Sequence, residues 1–312
     1  MATASLYSIT EIEQETGISR DTLRAWERRY GFPTPQRNQH NQRSERLYTG
    51  QQLARLRLIK QLLDSGMRPG KLVQLDEQQL RQLTSQDEVT AAVSADVETL
   101  LKTLTHGPRY ALLTQLEALL QQHGLRGFLT DVVAPMNLAV GEAWFAGSIG
   151  ILDEHHYAEQ VRRVLTSALD NLPTGSEGLR VLLTTLPGEP HGIGILMVAC
   201  MLCLEGAQVL LIGVQTPLEE IVRGAVESRC RIVGVSCSAH MGRRMIASQL
   251  VKLSKMLPHN ITIWAGGSGV ASLSFLQDRI RLFNDLRQIP EAVQALQPMV
   301  AAGRSDDRSE QT

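Results

Sequence analysis

The hydrophobic positions of this chain change period twice along its length. Through residue 63 they recur in short bursts at helical spacing: Leu23, Trp26 and Tyr30 fall at i, i+3 and i+7, and Leu53, Leu56, Leu62 and Leu63 continue the habit. Polar residues punctuate these bursts. Ser8-Ile9-Thr10-Glu11 forms a capping box that opens a first helix, and Gly17 closes it. Ser19 caps a second helix running through Tyr30, and Thr49 caps a third that Gly66 ends. Pro33 and Pro35 stop the second helix, and the polar stretch 36–48 predicts a wing of two short strands. Two short helices about a glycine turn predict a helix-turn-helix whose second member is the recognition helix. Residues 74–90, rich in Gln, Asp and Glu, predict a short helix and a linker.

Residues 92–170 are helical in pattern, with leucines at 100, 101, 104, 112, 113, 116, 119 and 120, and predict a four-helix bundle. Pro135 opens one of its helices and Gly147 ends it, which puts Trp144 in the last turn. Asp153 caps the next helix, with Glu154 and His155 in its first turn. Beyond residue 178 the pattern becomes that of buried strands: 179–186, 208–214, 231–236 and 262–265 alternate with helical runs. Such alternation predicts a parallel, flavodoxin-like (Rossmann-like) α/β sheet. The expected division is a head over 1–75, a linker over 76–91, a helical bundle over 92–172, an α/β domain over 178–302 and a polar, disordered tail over 303–312.

At the carboxyl end of the first predicted strand stands Glu189-Pro190-His191-Gly192-Ile193-Gly194. Doubly wound sheets hold their ligands at that edge. An imidazole there offers a nitrogen lone pair to a metal, and Glu189 is placed to orient it. Alone, the segment reads more readily as a surface loop with a histidine. Two later segments change that balance: 41 residues separate Gly194 from Ser236-Cys237-Ser238, and 27 more lead to Gly266-Gly267. The three segments together resemble the cobalamin-binding signature Asp-x-His-x-x-Gly, Ser-x-Leu, Gly-Gly, with Glu189 in place of the Asp and Ser238 in place of the Leu. The resemblance implies that His191 is the lower axial ligand of cobalt and displaces the cofactor's own base. It further implies that Ser236, Ser238, Gly266 and Gly267 line the channel for the displaced nucleotide tail, with Glu189 and Gly194 completing the set.

The head carries its own signal. Between residues 20 and 48 there are seven arginines against three acids, a surface suited to phosphate contacts or, equally by charge alone, to pairing within itself. The run Arg24-Ala-Trp-Glu-Arg-Arg-Tyr-Gly31, with Pro33, Pro35, Arg37 and Arg46-Leu-Tyr48, resembles the winged-helix head of MerR regulators. That resemblance implies that Trp26 and Tyr30 are core and that Arg20, Arg24, Arg28, Arg37, Arg43 and Arg46 meet double-stranded DNA. Trp144, nine residues, then Glu154-His155 is similar to the W-x9-EH motif of the light-sensing cobalamin regulators of the CarH/LitR type. It implies that Trp144 covers the upper face of adenosylcobalamin and that Glu154 and His155 contact the adenosyl group. Without its neighbours the pattern reads more readily as a core tryptophan and a first-turn acid favoured by the helix dipole. Where these sensors have a histidine after the tryptophan, this chain has Phe145, which carries no donor atom.

Composition narrows the classes. A chain of 312 residues with 43% apolar residues and a net charge of −1 supports several packed domains and shows no overall bias toward nucleic acid. Residues 1–7 lack both a basic and an apolar leader segment, and the apolar run 193–204 is too short to span a bilayer, so a cytoplasmic protein without a membrane partner is expected. Cys200 and Cys203 look like half a zinc site that no second pair completes, and are read as packing groups. Taken together the resemblances imply a regulator, not an enzyme, which represses in the dark and uses adenosylcobalamin (cobalt) to sense light. They also imply self-association, as dimer or tetramer, that changes with illumination. Two other readings stand beside it: a MerR-like regulator with a degenerate cobalamin domain that signals through a protein partner, and a corrinoid carrier, which would have no use for a winged-helix head.

Overall fold

A computed structural model describes residues 6–37, 46–64, 67–85, 94–173, 178–238, 241–270, 273 and 279–296. The expectations placed on Gly66, Arg43 and the tail over 303–312 lie outside the described residues. By contact density the chain forms two compact units, Met1–Val93 with Leu138–Glu154, and Ser94–Asn137 with His155–Thr312. No helix among the described residues is long and apolar enough to cross a membrane.

In the first unit, strand β1 (Leu6–Ser8) leads into α1 (Ile9–Thr16) through the expected capping box. The Ser8 amide donates to the Glu11 carboxylate at 2.6 Å, and the Glu11 amide donates to Ser8 Oγ at 3.3 Å. Gly17 takes a left-handed φ of 67°, which lets the chain turn at once into α2 (Arg20–Tyr30), capped by Ser19. Strands β2 (Gln36–Arg37) and β3 (Arg46–Thr49) form the wing, and β1 pairs antiparallel with β3 to make a three-stranded sheet. A second capping box, between Thr49 and Gln52, opens α3 (Gly50–Asp64). The turn α4 (Pro69–Leu72) and helix α5 (Glu77–Ser85) come next. The core gathers Ile12, Leu23, Trp26, Tyr48, Leu56 and Ile59, and it also takes in Leu72, Val73 and Leu80. Helix α5 is the short helix expected within 74–90, and it buries Leu80 in the head's core, past the boundary expected at residue 75.

The second unit begins with α6 (Ala95–His106) and α7 (Ala111–Gly127), the latter broken by Gly124 at φ 65°. A π-helical turn (Phe128–Val133) then runs directly into α8 (Ala134–Phe145), which passes into the first unit at Leu138, and α9 (Ile151–Asp170) returns to the second at His155. Pro135 is the second residue of α8, as expected of a proline that opens a helix, in the first turn where a missing N–H costs least; the π turn joins on without a loop. Helix α9 starts two residues before Asp153, whose carboxylate accepts from the Gly150 amide at 3.1 Å. His155 is accordingly past the first turn.

Strands β4 (Arg180–Thr185), β5 (Gln208–Leu211), β6 (Ile232–Ser236), β7 (Thr262–Gly266) and β8 (Ile280–Phe283) form one parallel sheet in the order β5-β4-β6-β7-β8. Their crossovers are α10 (Ile193–Leu204), α11 (Leu218–Glu227) and α12 (Arg243–Met256), and α13 (Ile289–Gln294) is the last described helix. The fifth strand, absent from the expected set, is only four residues long and carries Arg281 at its centre. Helix α10 is apolar all round because it is covered all round. Ile195, Ala199 and Leu202 are buried, Cys200 Sγ meets the Leu165 carbonyl of α9 at 3.6 Å, and Asn137 Nδ2 of α8 meets Met197 Sδ at 3.5 Å. Arg126 of α7 adds an ion pair to Glu205 at 2.5 Å. Burial pushes the Cys200 thiol up to about 12, consistent with a packing group. Inside the sheet, a Cβ on Gly234 would stand 2.4 Å from Leu183 Cδ2. Gly234→Val should therefore destabilise this unit by about 1–3 kcal/mol through overpacking, read as a lowered midpoint in chemical denaturation.

Candidate functional site

The β4–α10 turn places Glu189 and His191 at the carboxyl edge of the sheet. Glu189 is fully buried, whereas the His191 side chain is 47% exposed. One carboxylate oxygen, Oε1, accepts from His191 Nδ1 at 2.6 Å and from the His191 amide at 3.0 Å. The other, Oε2, accepts from the Ser238 amide at 2.7 Å and from Ser238 Oγ at 2.6 Å. Burial alone would raise the Glu189 pKa, but these hydrogen bonds from His191 and Ser238 outweigh it and hold the carboxyl below its ordinary value. The ionised carboxylate keeps the Nδ1 proton and leaves the lone pair of the imidazole on Nε2. Thr185 braces the turn from beneath, donating to the Glu189 carbonyl at 2.6 Å and accepting from the Gln215 amide at 2.8 Å.

The glycines and serines next to this pair set how closely backbone approaches backbone. A Cβ on Gly194 would lie 2.6 Å from Ser236 Oγ, and one on Gly267, at φ 99°, would lie 2.5 Å from the Cys237 carbonyl. Ser236 and Gly266 are register partners across β6 and β7. Glu189, His191 and Ser238 are thus in direct contact, while Gly194 and Gly267 let the adjoining backbone pack closely on Ser236 and Cys237.

Trp144 and Glu154 belong to the first unit. They flank a short turn in which Ser148 binds the Ala143 carbonyl through both its amide and Oγ at 2.9 Å, and Gly147 adopts φ 71°. Trp144 and Glu154 are half-buried and His155 is exposed. In the head, Arg20 pairs with Glu13 at 2.9 Å, Arg24 with Asp21 at 3.2 Å and Arg46 with Glu27 at 3.4 Å, while Arg28 is exposed. Part of the arginine stripe is therefore matched to the head's own acids. Such exposed pairs are worth at most about 1 kcal/mol, so they are readily exchanged for phosphate.

Comparison with known proteins agrees with both halves. The family model of the MerR HTH family regulatory protein matches residues 7–79, and that of the B12 binding domain matches residues 179–282. The HTH-type transcriptional repressor CarH of Myxococcus xanthus is 30% identical over 283 residues, covering 88% of this chain and 93% of that relative. The chain belongs to the CarH family of MerR-type regulators with a B12-binding domain. The repressor CarA of the same organism is 26% identical over 246 residues, covering 73% of this chain and 75% of that relative. The monomethylamine corrinoid protein of Methanosarcina barkeri shares the fold, with a TM-score of 0.51 and 20% identity, over 63% of this chain and 96% of that one.

The residues present fit the cofactor that gives the CarH family's C-terminal domain its name. A histidine at the sheet's carboxyl edge, its Nδ1 committed to a buried carboxylate, presents the tautomer that a metal requires of its other nitrogen. Sequence reasoning treated Ser238 as a departure from an apolar position and as part of the channel lining, not as a partner of Glu189. Its role as partner of Glu189 could have been found from the pairing of two departures, a longer acid and a small hydroxyl in place of leucine. It missed Thr185, and it missed Arg57 and Glu15 of the head, whose signal was a single arginine set between Leu56 and Leu58. Ser238→Ala removes one of the four donors to a buried carboxylate and should lower the stability of the second unit by about 1–3 kcal/mol, measured by denaturant unfolding. Unchanged stability would mean that water reaches Glu189.

Proposed function

We propose that this chain is a transcriptional repressor that uses adenosylcobalamin to sense light, with the domain division set out under Sequence analysis but the head extended through α5. The observation that carries the proposal is the buried Glu189 carboxylate holding the proton of His191 Nδ1 at the sheet's ligand edge. When bound, adenosylcobalamin supplies a cobalt–carbon bond that light cleaves. His191 gives its Nε2 lone pair to the metal; Glu189 and Ser238 keep the ring in that orientation and raise its basicity. Gly194, Ser236, Gly266 and Gly267 admit the nucleotide tail. Trp144, Glu154 and His155 are assigned to the upper face, an assignment supported by the W-x9-EH spacing. Loss of their contacts on illumination alters self-association and, through it, the DNA binding of Arg20, Arg24, Arg28, Arg37, Arg43 and Arg46.

Protein mixed with adenosylcobalamin in the dark should retain it through gel filtration with the absorption spectrum of a histidine-ligated cofactor, and His191→Ala should lose retention or that spectrum. An unaltered spectrum in His191→Ala would overturn the ligand assignment. After illumination the unmodified protein should lack a two-histidine spectrum, which Phe145→His should create.

For the head, binding to restriction fragments from upstream of its own gene should weaken with salt. Arg28→Ala should lower the slope of log affinity against log salt by about one unit. A slope unchanged in that variant would mean that α2 docks by another face.

A further inference from the structure

Helix α3 carries one arginine in a stretch otherwise given to core residues. Arg57 is 4% exposed. Its guanidinium pairs with the Glu15 carboxylate of α1, donates from Nη1 to the Trp144 carbonyl at 2.6 Å, and lies over the Trp144 ring with its carbon 4.0 Å from the centroid. Each contact suits a guanidinium: the planar fork serves two acceptors at once, its face stacks on an indole, and its charge sits at the C-terminus of α8, where the helix dipole favours a cation. Taking such a group out of water is costly, so the cluster holds only while all its partners are in place.

We infer that Arg57 is a positioning residue for Trp144, and that it straps this tryptophan to the winged-helix head. The inference rests on the proposed assignment of Trp144 to the cofactor's upper face. One guanidinium grips Trp144 by both ring and backbone. A shift at the end of α8 therefore either breaks both Trp144 contacts of a buried charge, leaving it with Glu15 alone, or carries α3 and α1 with it. Those two helices frame the recognition helix, because Ile12 of α1, Leu56 and Ile59 of α3, and Leu23 and Trp26 of α2 share one core. The state of the cofactor reaches the DNA-binding face through this packed path, a discrete element that both sites bias.

Hydrogen–deuterium exchange on the full chain tests this without knowledge of the operator. In the unmodified protein, adenosylcobalamin added in the dark should slow exchange in the α8–α9 turn and in α3 around Arg57, and light should reverse both. Glu15→Gln/Arg57→Met removes the two buried charges together and keeps a side chain of similar length. It should retain the dark absorption spectrum and the response of the turn, while the response of α1 and α3 falls by at least about fivefold, the low end of ordinary coupling. The inference is overturned by an α3 that ignores the bound cofactor in the unmodified protein, a result that needs no variant, or by a double variant whose α3 still responds. If adenosylcobalamin gives no bound spectrum with the unmodified protein, the proposed function itself falls and the inference with it.

Discussion

An ionised carboxylate without water around it must have its lone pairs met by donors, because the cost of removing it from water is several kcal/mol. Glu189 meets that demand with four donors drawn from two loops of the sheet domain, the β4–α10 turn and the segment after β6. The same bonds that satisfy the charge tie the two loops together and orient His191. Position and charge are therefore set by one network, and neither loop is free to adopt another shape without leaving a buried anion short of partners. Cys237, next to Ser238, feels the same surroundings: burial and then the Glu189 charge push its thiol up to about 12, which keeps it a packing group.

The layers around this edge arise from the pattern of burial. A helix as apolar as α10 can exist in water only between two surfaces, and it has the sheet on one side and α7, α8 and α9 on the other. The polar atoms that enter that interface are paired within it. Tyr157, fully desolvated and with its phenol pushed well above the ordinary range, donates to Asn137 at 2.7 Å, and Asn137 reaches Met197. The helical layer is thereby anchored on the helix that begins three residues after Pro190, so the turn bearing His191 is held from below by strand β4 and from behind by α10.

The head uses buried charge differently. Its own helices are set by local rules, four side-chain caps and the left-handed glycines Gly17 and Gly31, and its core is small. At the end of α8 a buried guanidinium joins a carboxylate of α1 to an indole. Replacing such a cluster with packed apolar residues often costs nothing in stability, whereas breaking one partner of it costs a great deal. A contact of that kind specifies one arrangement sharply. That property suits a signalling protein better than a merely adhesive surface would, and it places the family's motif tryptophan at the head's own scaffold.

The chain by itself determined what depends on local periodicity and on ordered spacing. The capping box at Ser8 and the cap at Thr49, the wing about Arg37 and Arg46, the alternation of strand and helix after residue 178, and the three cobalamin segments are all written in residues close together or at family-like separations. Boundaries were blurred where local signals compete: Pro135 marks a helix start but not the π turn that joins it, and β8 is too short to show a period. Tertiary structure decided which groups share a charge. Ser238 stands 49 residues from Glu189, and Arg57 stands 42 residues from Glu15 and 87 from Trp144. No one-dimensional pattern carries those distances, because a buried ion selects its partners by proximity in the folded chain, where low dielectric makes each missing bond expensive.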